Sequence, residues 1–143
     1  MAVYTHIRRC AWVLSFAVTG GMPAVTQAEG LVPSVSRGQQ LVESRCFACH
    51  SLDTHRVGPA LGGVVGRKAG KAEGFVYSKA MTAATHTWNA AGIKAWLTDP
   101  EKVVPGQAMN YRLDEAQDRE DVVAYLVRLS TPAKNRSAGN APD

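Results

Sequence analysis

Residues 46–50 read Cys46-Phe47-Ala48-Cys49-His50, and what this stretch binds determines what the rest of the chain folds around. Two cysteines with two residues between them lie about one helical turn apart, so both thiols reach the same object. The next residue is a histidine, which brings an imidazole to the same place. Three uses of such a cluster compete. A thioredoxin-like redox site expects a strand–helix–strand context, which is missing here. A zinc site needs further cysteine ligands, and the only other cysteine, Cys10, lies in the N-terminal segment. The third use is covalent attachment of a porphyrin, each thiol adding to one vinyl group while His50 is carried beneath the ring to the iron. The pattern is that of one haem c, bound through Cys46 and Cys49, with His50 on the metal.

The flanks of the chain support export. Arg8 and Arg9 precede an apolar run from Cys10 to Val18, then Gly20, Gly21 and Pro23, and small residues close the segment at Ala28 before Glu29. A charged start, a short apolar centre and a small-residue end are the order of a secretory signal, expected over residues 1–28. A retained membrane anchor is the rival, but Gly, Pro, Thr and Gln interrupt the run and leave too little apolar length. The paired arginines lack the rest of a twin-arginine consensus. The periplasm is the expected compartment, with no stable membrane insertion once the signal is cleaved. Exported proteins usually spend a cysteine pair on a disulfide; haem attachment consumes both thiols instead. The formal charge of +4 falls by two with Arg8 and Arg9, too mild a balance for a nucleic-acid binder.

A chain of 143 residues supports one modest domain, expected over residues 29–130. A polar, frayed tail is expected over residues 131–143. Three helices are predicted. The first spans about Arg37 to Cys46, with Ser36 as N-cap and Gln39 at capping-box spacing. The second spans about Ala90 to Thr98, capped by Asn89 and ended by Pro100, with Ile93, Trp96 and Leu97 on one face. The third spans about Glu115 to Ser130, capped by Asp114 with Gln117 three residues on, and Val122, Tyr125, Leu126 and Leu129 repeat as i, i+3, i+4, i+7. A short helical turn is expected near Ser78 to Ala83. Long glycine-rich loops connect these pieces, and long loops in a compact domain need something to pack on. The expected class is all-α, three main helices plus short turns and long loops wrapped around one covalent haem.

An iron held by His50 has a second face. His55 is too near in sequence to cross the ring, and His86 sits in a polar stretch where an exposed or hydrogen-bonded histidine is commoner. Met81 falls in the short turn, where methionine is usually packing. Met109 follows the stiff run Val104-Pro105-Gly106-Gln107-Ala108 and is the best candidate, because such a turn can hold a flexible thioether at the metal.

The chain strongly resembles class I cytochromes c, the mitochondrial protein and related short bacterial ones, over about residues 36–130. The resemblance rests on C-F-A-C-H, Gly58-Pro59-Ala60-Leu61, G-G-V-V-G-R-K-A-G over residues 62–70, Gly74-Phe75-Val76-Tyr77-Ser78, Trp88, Pro100, the turn to Met109, and R-E-D-V-V-A-Y-L over residues 119–126. It implies a cytochrome c fold and a role for each matched residue. Pro59 presents its carbonyl to the His50 ring, a contact that fixes the tautomer and raises ligand basicity. Arg67, Tyr77 and Trp88 hold the buried haem propionate, whose charge needs paired donors. Gly38 and Val42 meet Val122 and Tyr125 where the first and last helices cross. Two departures stand out. Trp96 replaces a tyrosine near the methionine sulfur, which puts that hydrogen bond in question. Glu101 and Ala108 replace lysines around the haem edge, so the docking face is less basic and no mitochondrial partner is carried over.

His50 and Met109 together leave no open metal position, and His/Met ligation raises the reduction potential. The expected function is a soluble, monomeric, monohaem carrier passing single electrons between redox proteins: respiratory or photosynthetic complexes, or soluble dehydrogenases. It is not an enzyme. A peroxidase or gas sensor needs a free sixth position, which Met109 takes; a dedicated subunit of one redox complex remains the alternative. Between Thr54 and Arg112 eight basic residues face three acidic ones, while Leu113 to Val123 holds five acidic residues and Arg119. Such an asymmetry orients approach to a partner.

Overall fold

The computed structural model describes Met1 and residues 31–132. The expected signal segment 1–28 and the tail from residue 133 lie outside the described residues.

Helix α1 (Val35–Leu41) begins where Ser34, in extended backbone, accepts the Arg37 N–H on its Oγ at 3.3 Å, satisfying a first-turn donor that the helix cannot. The cap is therefore Ser34 and not the expected Ser36. Ser36 meets the Ser34 hydroxyl at 3.2 Å, and Gln39 reaches forward to Glu43 at 2.8 Å rather than back to a cap. The entry point is fixed because the Ser34 N–H is itself anchored on Asp121 Oδ1 at 2.7 Å. The helix then widens into a π-helical turn, Val42–Cys46, so the expected single helix to Cys46 is two kinds of helix in series.

The short turn is helix α2 (Lys79–Ala83), capped by Ser78 Oγ on the Met81 N–H at 3.2 Å. Helix α3 (Ala90–Thr98) is capped by Asn89 Oδ1 on the Gly92 N–H at 2.7 Å, and buries Ile93, Trp96 and Leu97. Pro100 both ends α3 and opens helix α4 (Pro100–Val103), where its missing N–H costs nothing. Helix α5 (Ala116–Ser130) has no side-chain cap. The expected Asp114–Gln117 box does not form because Gln117 is used elsewhere, donating to Val32 O and Asp121 Oδ1, both at 2.8 Å. Arg119 meanwhile takes the Leu113 and Asp114 carbonyls.

Helices α1 and α5 cross at Gly38, where an added Cβ would lie 1.9 Å from the Asp121 carbonyl oxygen. Only glycine permits that approach. Beside it Arg37 forks onto the carboxylates of Asp118 and Asp121, and Val42, Val122, Tyr125 and Leu126 form the apolar contact behind. The rest of the described residues are loop. Among the described residues there is no sheet, only an isolated antiparallel bridge between Lys68 and Thr87. The class is all-α, and the loops of residues 47–78 and 104–115 close around one side of the helices.

Candidate functional site

The helices and loops enclose a cavity of about 550 Å³, within the usual range of about 300–1,000 Å³ for small-molecule and cofactor sites. Its wall is mostly apolar: Val42, Leu61, Val64, Ile93, Leu97 and Leu126 among others. Into it come Cys46, Cys49, His50, Pro59, Arg67, Tyr77, Trp88 and Met109, so all eight residues singled out from the sequence line one space.

The π-helical turn delivers the first of them. It ends at Cys46, and the Cys49 and His50 amides then both donate to the Cys46 carbonyl, at 3.0 and 2.9 Å. Cys46 and Cys49 are free thiols, the first half-buried and the second exposed. Burial pushes the Cys46 thiol up to about 11, with Arg45 pulling it down and Cys49 adding to the rise. At neutral pH it carries its proton. His50 Nδ1 lies 2.7 Å from the Pro59 carbonyl. A carbonyl only accepts, so Nδ1 carries the hydrogen and Nε2 keeps a lone pair for a metal.

Met109 arrives from the other end of the chain. Trp96 Nε1 donates to its sulfur at 3.4 Å, so the hydrogen bond left in question by the loss of a tyrosine is made by an indole. The turn before it is held by groups whose bracing role the sequence reading did not assign. Glu101 accepts the Gly106 N–H at 2.7 Å and the Gln107 amide at 3.4 Å, and Gln107 Oε1 accepts the Met109 N–H. No periodicity marks either residue; their placement within a few residues of Met109 is the one available signal.

Two thiols and an imidazole with its tautomer set, a thioether held by its own donor, and an apolar enclosure are the donor set of a covalently attached haem. The residues fit the group. The Cytochrome c family model matches residues 35–130.

The chain belongs to the cytochrome c family.

Among its relatives, cytochrome c of Tetrahymena pyriformis is 42% identical over 106 residues, covering 73% of this chain and 94% of that one. Cytochrome c2 of Rhodopseudomonas palustris is 35% identical over 140 residues, covering 86% and 99%. Of solved structures, cytochrome cH from Methylobacterium extorquens superposes with a TM-score of 0.62 at 38% identity, over 66% of this chain and 97% of that one. Family members carry electrons on one haem c bound through two cysteines and have no substrate chemistry of their own, and this cytochrome is a monohaem electron carrier of that kind. Among the described residues no helix is long and apolar enough to cross a membrane.

Other residues of this cytochrome stand differently from their sequence reading. Arg67 gives Nη1 to the Ala60 carbonyl at 2.8 Å and Nη2 to the Gly62 carbonyl, so part of its fork braces the loop. Met81 is buried as expected for packing, yet it also lines the cavity. His55 is exposed but not idle: the Ala60 N–H donates to its Nδ1 at 3.0 Å, and its Nε2 meets the Glu73 carbonyl at 2.7 Å. His86 is neither exposed nor hydrogen-bonded through Nε2, which is buried without a partner. Its ring stands edge-on to Trp88, centroids 4.5 Å apart, because the Lys68–Thr87 bridge turns residue 86 inward.

Proposed function

We propose that this cytochrome is a soluble periplasmic carrier in which His50 and Met109 take both axial positions of the iron, leaving none for a substrate. The observation that carries this is the Met109 thioether, which lines the same cavity as His50 and is held by the Trp96 indole at 3.4 Å. When bound, haem supplies one iron that gains and loses a single electron.

The chain supplies the rest. Cys46 and Cys49 tether the ring, and Pro59 orients the imidazole. Arg67, Tyr77 and Trp88 offer donors for the propionate; Arg67 has five N–H groups and spends two on carbonyls. The apolar wall excludes water, so little rearranges between the two redox states. Export through residues 1–28 places the carrier outside the cytoplasm, acting as a monomer between redox proteins. Exposed Val57 and Val76 at the cavity rim, with the exposed Lys68, Lys71 and Lys79, suit an electron partner whose patch is apolar and edged with acid.

Carbon monoxide tests the ligand pair. The reduced protein should bind it poorly at neutral pH, because a tethered thioether must leave first, and the ferric protein should show a weak far-red sulfur-to-iron band. Met109→Ala should abolish the band, lower the potential and admit carbon monoxide, whereas Met81→Leu should change none of these. Ready binding by the unaltered protein, or a band that survives Met109→Ala, overturns the assignment.

A further inference from the structure

We propose that Gly58 is a positioning residue for His50, its lack of a side chain allowing the loop to lie flat against the imidazole and keep the ring in its hydrogen bond with Pro59. The inference rests on the reading of His50 as an iron ligand and adds to it a residue that sets the strength of that ligand.

A Cβ built on Gly58 falls 2.2 Å from His50 Cε1, 2.6 Å from Nδ1 and 2.7 Å from Nε2. Carbon atoms in good contact are about 3.5–4.0 Å apart, so a methyl group there displaces either the ring or the loop. The loop has no room to withdraw. The Gly58 N–H donates to the Cys49 carbonyl at 2.8 Å, and the Gly58 carbonyl accepts the Arg56 N–H at 2.9 Å. Arg56 also ties the loop to the attachment turn from its side chain, with Nη1 on the Phe47 carbonyl at 2.5 Å. Pro59 follows immediately, and a residue before proline is restricted to extended backbone. The ring is the part that yields, and as it turns, Nδ1 leaves the Pro59 carbonyl, now 2.7 Å away.

The effect on the metal has a sign. A hydrogen bond from Nδ1–H to a carbonyl raises the basicity of the imidazole, and a more basic ligand favours the ferric state. Weakening the bond therefore raises the reduction potential. Loosening that merely admits water does the reverse, because a more polar surrounding stabilises the extra ferric charge. Direction separates positioning from damage.

Gly62 provides the matched control, since its added Cβ would meet the Leu52 carbonyl oxygen at 2.6 Å, crowding backbone and not the ring. Gly58→Ala and Gly62→Ala holoproteins should be compared by voltammetry and by ferric proton resonance of the His50 ring. Gly58→Ala should raise the potential by the equivalent of a three- to tenfold shift in the ferrous-to-ferric ratio, roughly 30–60 mV at 59 mV per tenfold. Its Nδ1–H should also exchange faster with solvent. Gly62→Ala should lose stability without any rise. A Gly58→Ala potential that is unchanged or lowered, with Nδ1–H exchange as in the parent, overturns the proposal. If the parent itself lacks paramagnetically shifted His50 resonances, it is the ligand reading that fails. Should Gly58→Ala not load haem, Arg56→Lys keeps the charge but loses the guanidinium hydrogen bond to the Phe47 carbonyl. It should give a smaller rise and faster exchange, and no change in either overturns the proposal.

Discussion

Trp96 donates its indole N–H to the Met109 sulfur and, unlike a hydroxyl, has nothing to accept with. The bond therefore runs in one direction; with Met109 on the iron, as proposed, it would draw electron density from the thioether and disfavour the ferric state. Trp96→Phe keeps an aromatic ring and removes the donor. Its potential should fall, by an amount within the about 0.5–1.5 kcal/mol of an ordinary hydrogen bond, and carbon monoxide should enter the reduced protein faster. Trp96→Tyr should recover part of both; a Trp96→Phe potential equal to the parent's would show the contact to be packing alone. The structure gathers around one cavity Cys46, Cys49 and His50, whose spacing covalent chemistry dictates, and Met109, which follows the stiff turn. Hidden were roles that no local pattern marks: Glu101 and Gln107 bracing the Met109 turn from within a few residues, and Gly58 against the imidazole. Nothing local distinguishes a glycine that faces a ring from one that faces water.

At the scale of elements, apolar periodicity located α3 and α5, and Asn89 caps the helix that its spacing assigned it; Ser78, expected as the start of a short turn, caps α2. Capping elsewhere was misread because a long-range carboxylate competed for the same donors. Asp121, fully buried on α5, takes the Ser34 N–H, the Gln117 amide and one arm of Arg37. Its burial alone would push the carboxyl up, but the bonds from Ser34, Gln117 and Arg37 together hold it below the ordinary value. A carboxylate depressed in the folded state contributes stability above its unfolded value of about 3.9. That contribution disappears as the pH falls through the lower, folded value. Acid should therefore part α1 from α5 below about pH 4. Asp121→Asn should cost about 1–3 kcal/mol at pH 7, as when a buried hydrogen-bonding group loses its partners, and unfolding by urea should then depend less on pH below 4. An equal acid slope in parent and variant would assign the transition to another group.

At the scale of the molecule, the all-α class and the long loops were legible, and the loops' shape was not, because their residues pack on a cofactor rather than on one another. The wall of the cavity they surround is mostly apolar, and each Å² of it left facing water forgoes about 25 cal/mol. Without the ring these loops have no reason to stand where they do. The double variant Cys46→Ala with Cys49→Ala, grown where haem attachment normally occurs, should accumulate little, with weak helical circular dichroism and no cooperative unfolding transition. Native-like helicity in that variant would mean that the loops support themselves. The apolar wall thus predicts an order of manufacture: stitching should come before folding, and the attachment machinery should meet C-F-A-C-H as open thread. A cell could then sort this chain by colour, since a molecule that has not turned red would have no settled fold to shield it from proteases.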